Sequence, residues 1–264
     1  CAAEPDCAWE EDGRREPVAP TLARHVEADA HLARSREDLR QWAEQNLPPA
    51  AAPDGGEDVD LVRPSQVAGD IVATLLYTVT DRPYRELYEM AEGWSAALRN
   101  EAIEVALGSR TRRDELLRAF RGGPYVYDVV MDIGAWRDLH RHRRCQQFRQ
   151  GFGWKLGYAT PPAIRDGGLE DFYVQTLEEA ARTARELPAP GSHYLLPFAA
   201  RARFLFKMDF AEAEYICRLR SGVKGHFSYR EIAWRMKQKM EEAEPELGRL
   251  IEATPPWIED PLKR

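Results

Sequence analysis

The stretch LPPAAAPDGGED, Leu47 to Asp58, carries three prolines, two glycines and almost no bulky side chain. Proline fixes φ and withholds a donor, glycine spreads the backbone over many conformations, and neither brings much apolar area to a core. A single core cannot run straight through such a segment. We therefore expect a linker at 47–58 between residues 1–46 and a main domain at 59–264. Residues 1–20 are polar and without a steady period. From Thr21 to Gln45 the apolar positions Leu22, Val26, Ala30, Leu32, Leu39 and Trp42 recur by threes, fours and sevens, which predicts a helical appendage.

The main domain reads as helices around at least two strands. SQVAGDIVATLLY is amphipathic, with Ser65 as its expected cap, and DRPYRELYEMAEGW restarts a helix with Pro83 near the first turn. GSRTRRDELLRAFRGG holds a short helix between glycine breaks. YVYDVVMDI, Tyr125 to Ile133, is aromatic and β-branched and predicts a strand, as does Arg201–Met208. Between them, LEDFYVQTLEEAARTARELP is a helix ended by Pro188. AEAEYICRLRS predicts another helix, GVKGHF a turn, and SYREIAWRMKQKMEEAEPELGRLI a long helix buried along Ile232, Met236, Met240 and Ala243.

The chain is acidic, with a net charge of −7 and a pI near 5.5, so general binding of nucleic acid or of an anionic membrane is not expected. No apolar run is long enough to span a bilayer, and no signal-peptide pattern is found. The four cysteines, Cys1, Cys7, Cys145 and Cys217, form no CxxC pair, which points to a reducing, cytoplasmic setting. The opening Cys1 reads as the start of a fragment; a lipid-modified N-terminus is the alternative.

Against that background, RDLHRHRRCQQFRQGFGW, from Arg137 to Trp154, gathers five arginines and two histidines. Read as a helix starting near Ala135, it aligns Arg137, Arg141, Arg144 and Gln147/Phe148 on one side. Like charges at that spacing destabilise a helix unless anions answer them. Guanidinium groups in number suit phosphate, to which each donates in pairs; a solvated basic face or internal ion pairs is the other reading. His140, His142 and Cys145 do not converge on a helix, so no metal site is expected. His142 reads as a hydrogen-bonding or core residue, and the basic neighbours of Cys145 would lower its pKa. No P-loop, GxGxxG or GxSxG motif is found. Lys224 and His226 could reach a phosphate or simply belong to a solvated turn.

The Arg141-His142-Arg143 triplet after YVYDVVMDIGAWRDLH, the Leu-Pro segment HYLLPFAARARFLFKMDF, the EYICRLRSG helix and the closing EIAWRMKQKMEEAEPEL together resemble the flavin-dependent thymidylate synthase family over about Val59 to Leu250. The resemblance implies an α+β or α/β fold, a central sheet flanked by helices, assembled as a homotetramer with active sites between subunits. It implies reductive methylation of dUMP to dTMP through FAD, with methylenetetrahydrofolate and NADPH and no cysteine nucleophile. Arg141, His142 and Arg143 would grip the flavin's phosphates. Arg220 would contact the pyrimidine as the catalytic cation, with Arg149 and His193 at further substrate-binding positions.

The chain departs from the family pattern at several of these positions. Arg149, Gly151 and Gly153 stand where the family has Glu, Ser and Arg; Asp138 replaces a Gln and His193 an Arg. Asp209-Phe210-Ala211 replaces an Asn-x-Arg. Two architectures follow. One is a working enzyme with an altered nucleotide pocket. The other, which we favour, is the second of two family-like domains in a duplicated chain, with residues 21–46 as the tail of the first. Such a copy would serve assembly or nucleotide binding.

Overall fold

The computed structural model describes residues 8–11, 14–17, 30–48, 58–111, 114–188 and 191–260, the first two segments as backbone alone. The chain forms two compact units, Cys1–Asp54 and Gly55–Arg264. The first holds an antiparallel pair, β1 (Ala8–Glu11) and β2 (Arg14–Pro17), where the sequence showed no period, and the helix α1 (Ala30–Asn46). Leu22 and Val26 of the expected helix lie outside the described residues.

The second unit is built on a four-stranded antiparallel sheet in the order β3-β4-β6-β5. Its strands are β3 (Val59–Arg63), β4 (Tyr125–Asp132), β5 (Gln146–Arg149) and β6 (Arg201–Met208). The two central strands pair over eight residues each, Tyr125 opposite Met208 and Asp132 opposite Arg201. Alternation then decides which side is dry. Tyr125, Tyr127, Val129 and Met131 lie on one face with Ala202, Phe204, Phe206 and Met208, all buried. Each large side chain so buried is worth about 1.5–3 kcal/mol relative to exposure.

The helices are α2 (Ala68–Tyr77), α3 (Tyr84–Gly93), α4 (Ala96–Leu107), α5 (Ile133–Leu139), α6 (Pro162–Asp166), α7 (Glu170–Glu186), α8 (Phe210–Arg220), α9 (Phe227–Ala243) and α10 (Pro245–Gly248). All but α6 and α7 contribute buried residues to the core on that face. Ile71 of α2, Ile216 of α8 and Met236 and Met240 of α9 share one core with the sheet. The opposite face stays half open and carries charge pairs, Arg203 with Asp128 at 2.9 Å and Arg201 with Asp58. Among the described residues no helix is long and apolar enough to cross a membrane.

Several local expectations need correction. Ser65 does not cap α2, which Val67 precedes without a side-chain cap. Among its described residues, GSRTRRDELLRAFRGG supplies only a 3₁₀ turn, Arg118–Phe120, after the last turn of α4. The closing helix is two: α9 stops before Glu244 and Pro245 opens α10, because proline cannot continue a helix interior. Ala243 is exposed, and Glu244 takes the buried place, accepting a hydrogen bond from Tyr125 Oη at 2.6 Å.

The largest correction concerns the basic run. Asp132 caps α5 by accepting from the Ala135 amide at 2.8 Å, but the helix ends at Leu139. Two tight turns follow, closed by His142 N to Leu139 O and Cys145 N to His142 O, both 3.1 Å. They bury Leu139, His142 and Cys145 at intervals of three. The chain then becomes the edge strand β5, with Phe148 opposite Leu205. Arg137, Arg141, Arg144 and Phe148 therefore share no helix face, and the repulsion such a face would carry is avoided.

Candidate nucleotide site

Asp209 opens α8 by accepting from the Glu212 amide at 2.8 Å. Its two oxygens also accept from Arg144 Nη2 at 2.9 and 2.8 Å. The aspartate that departs from the family pattern thus has a structural task, a helix cap locked to the end of the basic run. Glu212, three residues on, points back under the triplet. It is 4% exposed, lies 3.5 Å from Arg144, and its Oε1 is 3.2 Å from His142 Nδ1.

The other ring nitrogen of His142 fixes the tautomer. Arg220 Nε lies 2.8 Å from His142 Nε2. Arginine can only donate, so Nε2 is the acceptor and the proton resides on Nδ1, where it donates to Glu212. The buried imidazole is a neutral coupling between an anion and a cation that come from opposite ends of α8. Among the described residues Arg220 spends only Nε on a hydrogen bond. Its Cζ stands 5.7 Å from the Tyr229 ring centroid. Arg220, Lys224, Tyr229 and the turn Gly222–Gly225 line an open cleft of about 660 Å³. The same helix buries a second acid, Glu214, between Arg110 and Arg218, each at 2.9 Å.

The structure therefore brings together His142 and Arg220, which are 78 residues apart. It leaves the rest of the expected set elsewhere. Arg141 is exposed and pairs with Asp138 at 2.9 Å. Arg143 is exposed and has no partner among the described residues. Arg149 lies on the surface with Cζ 4.4 Å from the Phe152 ring. His193 is exposed in a 3₁₀ turn, Gly191–Leu195. A Cβ at Gly151 or Gly153 would meet nothing within 4 Å, so the space beside both glycines is open.

These positions test the flavin expectation chemically. Arg141 and Arg143 retain donors for a pyrophosphate, and in that respect the triplet fits FAD. His142 does not fit a phosphate grip, since both ring nitrogens are already engaged. Sequence reasoning did not find Glu212. Its signal was present as Asp209-x-x-Glu212, a capping-box spacing at the head of a helix whose buried acids needed partners.

The expectation that basic neighbours lower the pKa of Cys145 is also corrected. Burial, helped by Glu212 nearby, pushes its pKa up to about 12, and burial raises that of Cys217 as well. At pH 8 both are protonated and enclosed. In iodoacetamide labelling of the folded protein, mapped by peptide mass spectrometry, both are expected to stay unmodified for hours and to react within minutes in denaturant. Labelling of native Cys145 would contradict this placement.

Comparison with known proteins gives the geometry a context. Residues 76–246 match the family described as thymidylate synthase complementing protein. The UPF0159 protein of Chlamydia muridarum is 30% identical over 179 residues, covering 66% of this chain and 34% of that protein. A UPF0159 protein of Thermoplasma acidophilum is 32% identical over 181 residues, 62% of this chain and 36% of the relative. The chain thus spans about a third of the length of the curated relatives it matches. The fold is shared with a crystal structure of the UMP/dUMP methylase PolB from Streptomyces cacaoi bound with 5-Br dUMP. The TM-score is 0.58 at 14% identity, over 72% of this chain and 92% of the other.

Proposed function

Because the chain belongs to the thymidylate synthase complementing protein family, we propose that it binds a pyrimidine nucleotide in the Arg220 cleft and serves flavin-dependent methylation of dUMP to dTMP. The observation that carries this reading is the Arg220 guanidinium, clamped through Nε by His142 with its terminal nitrogens uncommitted at the cleft. A fixed cation beside the uracil imide favours its N3-deprotonated form, which raises electron density at C5, the carbon to be methylated. His142 holds that cation in place through Nε, and Glu212 holds His142 from behind. Arg141 and Arg143 would hold the FAD pyrophosphate. FAD, when bound, supplies hydride storage, with NADPH and methylenetetrahydrofolate as co-substrates. The family resemblance extends the reading to a homo-oligomer, a tetramer or a dimer of a duplicated chain. UMP/dUMP methylation by the structural neighbour supports the nucleotide class.

A second reading has its own observation. Gly151 and Gly153 have open space beside them and Asp209 is committed to Arg144, which by the family resemblance would leave nucleotide and flavin fewer contacts. A domain so altered could keep nucleotide binding and assembly without turnover. The purified chain separates the two. The first reading expects flavin absorption that survives desalting, NADPH oxidation stimulated by dUMP, and FAD retention lowered at least tenfold in Arg141→Ala/Arg143→Ala, which removes two charge-assisted contacts. A colourless protein that added FAD does not saturate, yet which binds dUMP, establishes the second.

A further inference from the structure

We propose that the Gly222–Gly225 turn together with Lys224 forms a phosphate subsite of the Arg220 cleft, taking the 5′-phosphate of a pyrimidine nucleotide. The inference rests on the nucleotide reading for the identity of the ligand, and on the following features for the site. The cleft wall carries Arg220 and Lys224 and no carboxylate, although the whole chain has a net charge of −7. The turn is closed by Gly225 N to Gly222 O at 2.8 Å. The amides of Gly222, Val223 and Lys224 then have no acceptor among the described residues, and all three residues line the cleft. Successive free amides beside an ammonium group form an anion-binding concavity.

The turn is also held rigidly. Buried Arg230 donates through Nε to Ser221 O at 3.1 Å and through Nη2 to Pro255 O and Ile258 O at 3.2 and 2.7 Å. Ser221 Oγ, fully buried, accepts from the Thr254 amide at 2.8 Å. Helix α9, the turn and the C-terminal segment are thereby fixed to one another, so an anion meets donors already in place. A volume of about 660 Å³ lies in the range of small-molecule clefts. One end of the ligand would then face Arg220 and Tyr229, and the other the turn. This subsite would supply phosphate contacts that Gly151 and Gly153 cannot.

Calorimetric titration of the full chain with dUMP, deoxyuridine and inorganic phosphate tests this, using Lys224→Gln and Val223→Pro. The second variant deletes one amide at a turn position that accepts proline. dUMP is expected to bind about tenfold or more tighter than deoxyuridine, and each variant to remove about fivefold to tenfold of dUMP affinity while leaving deoxyuridine within about twofold. Phosphate should compete with dUMP in the wild type and less so in Lys224→Gln. If phosphate binds in a Lys224-dependent way but deoxyuridine shows no binding, the subsite stands and the pyrimidine reading fails. If dUMP binds and both variants leave its affinity unchanged, the pyrimidine reading stands and the subsite is wrong. Absence of binding by dUMP and phosphate alike also overturns the subsite.

Discussion

Arg220→Ala is expected to weaken dUMP binding on the order of 100-fold, the scale of losing a charged, partly desolvated partner. Arg220→Lys is expected to do little better, since an ammonium group has no Nε to dock on His142 and no planar fork to present. Two variants of His142 separate its bonds. Glutamine carries its carbonyl near the place of Nε2 and can accept from Arg220, losing Glu212. Asparagine reaches near Nδ1 and can donate to Glu212, losing Arg220. The glutamine form leaves buried Glu212 short of a donor, at a cost of about 1–3 kcal/mol of stability, and the asparagine form leaves half-buried Arg220 short of an acceptor, at a smaller cost. Only the asparagine form frees the guanidinium. His142→Gln should stay within about fivefold of wild type in dUMP affinity, and His142→Asn should fall by about tenfold or more. Equal losses in the two, tracking their melting temperatures, would reduce His142 to a packing role.

The second large effect concerns the fold. A Cβ on Gly248 would lie 2.5 Å from the Glu241 Cα and 2.6 Å from its amide nitrogen. The obstacle is backbone, which cannot rotate aside. Gly248→Ala must therefore lift α10 from α9 and disturb Leu247 and Ile251, both buried in the common core. Gly123 has a φ of 63°, and a Cβ added there would lie 2.3 Å from both Ser65 Oγ and Val67 Cγ1, so alanine meets both backbone strain and collision. Each substitution should cost about 3 kcal/mol or more in urea unfolding, the upper end for overpacking. Gly151→Ala, where nothing lies within 4 Å, should fall within about 0.5 kcal/mol of wild type. Near-native stability of Gly248→Ala would contradict the close packing of α9 and α10.

The sequence revealed β4 and β6 because aromatic and β-branched residues fill them, and both keep the alternation that buries one face. β3 and β5 went unseen for different reasons. VDLVR is short, adjoins the linker and mixes charge with apolar residues, so it has little period to detect. β5 was masked by arginines whose spacing imitates a helix; its pairing with β6 is a tertiary fact that overrides local pattern. The long closing helix carried its own contradiction at Pro245, which the apolar repeat concealed. At the site, the triplet could be located but not oriented. Whether Arg141, His142 or Arg143 turned inward depended on the tight turns after Leu139 and on Glu212, 70 residues away.

The position of the pyrimidine ring decides whether Arg220 acts on the nucleotide. Crystals of this chain grown with 5-bromo-dUMP would locate the ring by the anomalous scattering of its bromine. One peak per chain is expected inside the cleft lined by Arg220, Val223 and Tyr229, with the guanidinium still docked on His142. A peak elsewhere on the chain, or nucleotide density with Arg220 turned away from it, would contradict the account.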